Sequence, residues 1–195
     1  MRKSEQTRLS IMKNSAQLIY IKGYQSTSID DILSSMQVTK GAFFYHFKNK
    51  EEMALSFLKE LMYPGMRKMM VEPLSNSVDP IKDIHRLIKS LLQDKINFDV
   101  RYGCPMVNLI EEMTPLSETF NNTLKMIALT WVNALSDCLK RGQDQGCVRP
   151  NVNTEEVANY IVTAYAGARN MGKLFGTKSY DGFLKQFGIY LKSLK

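Results

Sequence analysis

The chain is poor in the residues that carry catalytic and metal chemistry. Among 195 residues there are two histidines, His46 and His85, and three cysteines, Cys104, Cys138 and Cys147. The histidines lie far apart, no two cysteines have C-x-x-C spacing, and no His/Cys/carboxylate cluster has ligand spacing, so no metal site is expected. Three thiols cannot all pair within one chain, which points to free cysteines in a reducing compartment. Long hydrophobic runs are absent. The longest, such as residues 16–21, fall far short of the ~18 residues of a membrane span. No apolar stretch follows Met1-Arg2-Lys3-Ser4-Glu5-Gln6, so no signal peptide is expected and the cytoplasm is the default. Credible strand alternation, internal repeats and low-complexity segments are missing. A Ser/His/Asp order, paired carboxylates in an evident cleft and a phosphate loop are missing too, so neither an enzyme nor a cofactor is expected.

Acid is scarce in one quarter of the chain. Residues 1–50 hold eight Lys/Arg against the three acids Glu5, Asp30 and Asp31, whereas residues 51–195 hold eighteen against sixteen. A basic head on a nearly neutral body suggests a polyanion-binding module attached to a separate core. The expected division is 1–50 and 51–195.

What is present is helical periodicity. Leu9, Met12, Ala16, Ile19 and Tyr20 recur at helical spacing over residues 4–22, and Gly23 stands in a C-terminal stop position. Ser28, with Asp31 three residues on, opens a short helix over 29–36. Thr39 opens another that runs to about Phe47, and Asn49-Lys50-Glu51-Glu52 is a capping box for a fourth. Pro64-Gly65 predicts a kink or break in that fourth helix. Asp79-Pro80 opens a helix to about Val100. Further helices are predicted around 106–113, 117–141, 154–174 and 180–194. The expected fold class is all-α: a three-helix helix-turn-helix head, then a helical ligand-binding and dimerisation domain.

Two short helices joined by a tight turn in a basic segment suggest a helix-turn-helix. On a wheel of residues 39–47, Phe43 and Phe47 face inward, towards Leu18, Ile32 and Leu33. Gly41, Ala42, Phe44 and Tyr45 face outward, and that outer face carries almost no charge. Small Gly41 and Ala42 would let backbone approach a groove, with Ala42 against a thymine methyl and Tyr45 offering a hydroxyl. Lys50, unfavourable in a first helical turn, would be stabilised by a phosphate there, and Thr27 and Ser28 could hold another. Lys40, Arg2, Lys3 and Arg8 would add salt-sensitive attraction.

The segment Thr27-Ser28-Ile29-Asp30-Asp31-Ile32, followed by Val38-Thr39-Lys40-Gly41-Ala42-Phe43-Phe44-Tyr45-His46-Phe47-Lys48-Asn49-Lys50-Glu51-Glu52, resembles the DNA-binding head of the TetR/AcrR family of bacterial repressors. The resemblance covers about residues 7–53. It implies a dimeric, all-helical repressor of transcription, released from a palindromic operator when a ligand binds the C-terminal domain. By position it implies a DNA surface of Thr27, Thr39, Lys40, Ala42, Phe44, Tyr45, His46 and Lys50. Two positions depart from the family pattern. Gln37 stands where the turn usually has glycine and could itself reach a base. Phe44 stands where tyrosine is common, which removes one phosphate contact.

The body is less sharply patterned. Tyr63, Met66, Met70, Phe98, Met106, Met126, Trp131 and Tyr165 are candidates to line an apolar pocket for a small apolar or electrophilic inducer, and Met side chains adapt to varied ligands. The stretch from Tyr102 to Glu112, around Cys104, resembles a branch of the family in which some members sense electrophiles. Lys173 resembles the partner of that cysteine. An ammonium beside Cys104 would raise its thiolate fraction, and a sulfenic acid formed there could be captured by the amine. Apolar stripes on the last two helices mark Ile161, Tyr165, Ala168, Phe183, Phe187 and Tyr190 as candidates for an isologous dimer interface. Two alternatives remain: a helical enzyme handling electrophiles through Cys104, and an adaptor using the aromatic outer face of residues 39–47.

Overall fold

The computed structural model describes residues 2–36 and 38–195, and among these it contains helices and no strands. The helices are α1 (Lys3–Lys22), α2 (Ile29–Met36), α3 (Lys40–His46), α4 (residues 50–75), α5 (Pro80–Gln93), α6 (Pro105–Met113), α7 (Glu118–Asp144), α8 (Thr154–Phe175) and α9 (Ser179–Lys192). No helix among the described residues is long and apolar enough to cross a membrane.

Local chemistry explains most of the boundaries. Gly23 ends α1 with φ +89°, a backbone conformation that L side chains rarely adopt, and its N–H bonds the Ile19 carbonyl. Thr39 caps α3 by accepting from the Ala42 N–H, and Asn49 caps α4 by accepting from the Glu52 N–H at 2.8 Å. Asp79 and Asn153 do the same for α5 and α8. The helix predicted to reach about Val100 stops at Gln93 instead. The Asp94 carboxylate accepts from the backbone N–H groups of Ile96 and Asn97, and this turn replaces the next helical turn.

Of the kink or break expected at Pro64-Gly65, the break does not occur. Residues 50–75 run on as helix, but Leu58–Met62 and Arg67–Val71 on either side of the proline are wound as π-helix. A proline in a regular α-helix lacks its donor and collides with the carbonyl four residues back. The wider turn at 58–62 accommodates both defects without ending the helix.

The packing divides the chain at places other than residue 50. One compact unit comprises the residues up to Pro64 together with Pro105–Lys125; the second comprises Gly65–Cys104 and Met126–Lys195. The first unit extends past residue 50 because α4 supplies Met53, Ala54 and Leu58 to the same core as Ile11, Ile32, Phe43 and Phe47. Its second segment joins through an edge-on Tyr24–Phe120 ring pair, a Gln25 N–H to Glu112 hydrogen bond and a Ser117 hydroxyl to Glu51 hydrogen bond. In the second unit α9 packs on α5 and α8. His85 on α5 stacks on Phe187 and hydrogen-bonds the Leu184 carbonyl.

Candidate nucleic-acid interface

The helix-turn-helix is built on the inward face of α3. Phe43 and Phe47 are fully buried, as is Ile32 of α2. This leaves the opposite face of α3 to solvent. Tyr45 is 78% exposed and Phe44 45% exposed, and Gly41 is exposed with nothing within 4 Å of where a Cβ would stand. Thr39 and Lys40 are exposed beside them, and Ala42 is half-buried. The Thr39 oxygen already accepts from Ala42, so its O–H hydrogen is left to donate outward. His46 is half-buried with its ring edge-on to Tyr45. Burial, with a smaller effect from the Arg8 guanidinium, lowers the His46 pKa from its ordinary value.

The flanking phosphate grips differ from those read in the sequence. Thr27 is completely buried; its hydroxyl donates to the Gly23 carbonyl at 2.7 Å and its N–H to the Tyr24 carbonyl, so it presents no donor to DNA. Ser28 is exposed, but Asp31 accepts both its hydroxyl, at 2.6 Å, and its N–H, at 2.9 Å. These bonds, with Lys22, hold the Asp31 pKa down to about 2, so an anion already occupies the place where a phosphate was expected. Lys50 is half-buried and its ammonium donates to the Tyr24 and Thr27 carbonyls, each at 2.8 Å, and sits 4.2 Å from the Tyr24 ring. It ties the turn before α2 to the start of α4. Arg8 is likewise engaged, by a two-pronged ion pair with Glu60 and by packing on the Phe47 ring. Arg2, Lys3 and Lys40 are exposed. Gln37 lies outside the described residues.

In the second unit, Phe98, Trp131 and Tyr165 come together around a residue that the sequence reading missed, Arg169. Its guanidinium lies 4.2 Å from the Phe98 ring and donates to the Tyr165 hydroxyl, and Trp131 meets Tyr165 edge-on. Burial raises the Tyr165 pKa, so the phenol stays neutral. A signal was available: Arg169 stands four residues after Tyr165, on the stripe of α8 that is otherwise apolar. Cys104 is buried beside Gly103, and a Cβ on Gly103 would meet the Lys173 Cε at 2.4 Å, so the Lys173 stem crosses directly over Gly103. Met66 and Met70 are buried core residues of this unit, Met126 is exposed, and Met106 belongs to the other unit.

The dimer candidates need correction. Ile161, Tyr165 and Phe187 are buried within the protomer, so their side chains are not available to a partner. Ala168, Phe183 and Tyr190 are half-buried. The apolar side chains that α8 and α9 leave exposed are Tyr160, Met171, Leu174, Phe175 and Ile189. No group of three or more His/Cys/Asp/Glu among the described residues could hold a metal ion.

A basic helix-turn-helix whose third helix leaves Phe44 and Tyr45 exposed, joined to a helical unit with its own core, is the architecture of a DNA-binding transcriptional regulator. The profile described as "Bacterial regulatory proteins, tetR family" matches residues 11–57, and that described as "Tetracyclin repressor-like, C-terminal domain" matches residues 80–186. The Tn10 TetC protein of Escherichia coli is 48% identical over 181 residues, 88% of this chain and 87% of that protein. The crystal structure of a TetR-family regulator from Cytophaga hutchinsonii superposes with a TM-score of 0.87 at 20% identity, covering 100% of this chain and 98% of that one. The reduced form of E. coli NemR superposes with a TM-score of 0.82 at 21% identity over 96% of each chain. The chain belongs to the TetR family.

Proposed function

We propose that the protein is a repressor that binds a two-fold symmetric operator as a homodimer and leaves it when a small effector binds the C-terminal unit. The observation that carries the DNA half is the outer face of α3. Phe43 and Phe47 fill the core, whereas Phe44 and Tyr45 stay exposed and nothing lies within 4 Å of where a Cβ on Gly41 would stand. Two such faces about one helical turn apart read a palindrome. Release follows if the effector favours a head spacing that no longer matches that turn. Selection of bound duplexes from a random pool tests this: an inverted repeat should be enriched, and its affinity should fall steeply with salt. A pool with no enriched sequence, or salt-independent binding, would count against DNA reading and favour the adaptor.

The placement of Lys173 over Gly103 supports a second reading, in which Cys104 makes release sensitive to electrophiles. Replacing Cys104 by Ser should then blunt operator release by an added electrophile. Undiminished release would remove this reading.

A further inference from the structure

We infer that the C-terminal unit binds a small organic acid, with its carboxylate seated against Arg169 and the Tyr180 hydroxyl, and that the effector belongs to this class. The effector half rests on the ligand-release reading above. The starting observation is a buried cation with no anion. Arg169 is 1% exposed, donates to the Tyr165 hydroxyl at 3.2 Å and to the Leu91 carbonyl, and faces the Phe98 ring. No carboxylate stands within ion-pair distance of it among the described residues. The acid that feels it electrostatically, Asp94, is held by the Asn97 side chain at 2.7 Å and by two backbone N–H groups. A desolvated guanidinium satisfied by a phenol, a carbonyl and ring faces is a poor device for stability, because apolar side chains would fill the same volume without the desolvation cost.

Two further donors pack against α8, Tyr180 from α9 and Trp131 from α7, and among the described residues neither has an acceptor. Tyr180 is 3% exposed and its buried hydroxyl has no hydrogen-bond partner. It packs against Gly172, three residues after Arg169, so closely that a Cβ there would lie 2.3 Å from the hydroxyl oxygen. Trp131 meets Tyr165 edge-on, and its buried indole N–H is also without a partner. Guanidinium and indole N–H groups only donate, and the phenol O–H can donate as well. A group that only accepts and carries negative charge complements this set, and a carboxylate can take two parallel bonds from one guanidinium. The aromatic walls Phe98 and Tyr165 suit an apolar body behind the acid.

Trp131 is the only tryptophan in the chain, which gives a direct readout. The full-length protein is titrated with butyrate, benzoate and phenylacetate, and separately with the matching amides, while tryptophan emission and operator occupancy are followed. At least one acid should shift emission saturably and its amide should not. The Arg169→Met variant, checked for folding by circular dichroism, should lose the response. The conservative Tyr180→Phe variant should weaken it about tenfold, the loss expected for one hydrogen bond to a charged group. Acids and amides acting alike, no response to any acid, or full affinity in both variants would overturn the site. Acids that bind yet leave the operator occupied would overturn the effector assignment while the site stands, whereas loss of operator binding in the untreated protein would fault the DNA reading alone.

Discussion

Gly41 is a residue at which the demands of the fold and those of the proposed DNA contact can be told apart. It sits inside a seven-residue helix, where glycine costs roughly 0.5–1 kcal/mol relative to alanine. Nothing in the protein occupies the space its Cβ would take, so the fold gives no reason for glycine here. Gly41→Ala should therefore raise the Tm. Gly41→Leu should fold equally well and weaken operator binding by about tenfold or more, the cost of a disturbed base contact. Thermal melts and fluorescence anisotropy on the two variants check this; unchanged DNA affinity in Gly41→Leu would show that the face does not enter a groove. His46 gives a pH test at the same scale. Burial first, then Arg8, lowers its pKa in the free protein, so it is neutral at pH 7. A nearby DNA phosphate would raise that pKa, so binding would take up a proton and affinity would strengthen as pH falls from about 7.5 to 6. His46→Gln should flatten that profile. In the free head the sign is opposite: the neutral form is favoured by folding, so stability is lost as pH falls below the ordinary histidine value.

At the scale of elements, boundaries set by local chemistry were legible in the sequence and those set by tertiary packing were not. Gly23, Thr39, Asn49 and Asp79 act on their own neighbours, so their types and spacing were enough to place those helix ends. No break follows Pro64 because the rule for proline assumes an α-helical turn, and the flanking π-turns relax that assumption. The setting of Lys50 was not legible for a related reason. Its place in a first turn is unfavourable only if nothing local compensates, and the compensation is two carbonyls brought in from residues 24 and 27. Lys50→Met should leave those carbonyls without their donor and cost the head about 2 kcal/mol, allowing for its partial exposure, as measured by urea denaturation. An equally large loss of DNA affinity with no change in stability would instead restore the phosphate role. Gly65 lies in the α-helical turn between the two π segments with open space around it, so Gly65→Ala should stabilise the protein by roughly 0.5–1 kcal/mol.

For the whole molecule, the remaining ambiguity was which of two apolar stripes on a helix meets its own core and which meets a partner. Helical spacing shows that a stripe is buried but not what buries it. On α8, Ile161, Tyr165, Arg169 and Gly172 form the inward stripe, and Tyr160, Gly167, Met171 and Leu174 form another about two fifths of a turn away. The inward stripe carries Ile161 and Tyr165, two of the residues whose helical spacing suggests an interface. The outer stripe, extended by Phe175 and by Gly182 and Ile189 on α9, combines exposed apolar side chains with glycines that let backbones approach. A two-fold axis through it would pair like with like. Charge placed on this surface should therefore break assembly without unfolding the subunit. Phe175→Glu combined with Ile189→Lys is expected to sediment as a folded monomer, to keep its Tm within a few degrees, and to lose most of its affinity for the full palindrome while retaining weak, salt-sensitive binding to a half-site. Ile161→Glu should unfold the protein instead, because a carboxylate buried in the protomer core has no partner there. A double variant that still sediments as a dimer would place the two-fold axis elsewhere, and the geometry by which two α3 faces share one duplex would have to be rebuilt from that other surface.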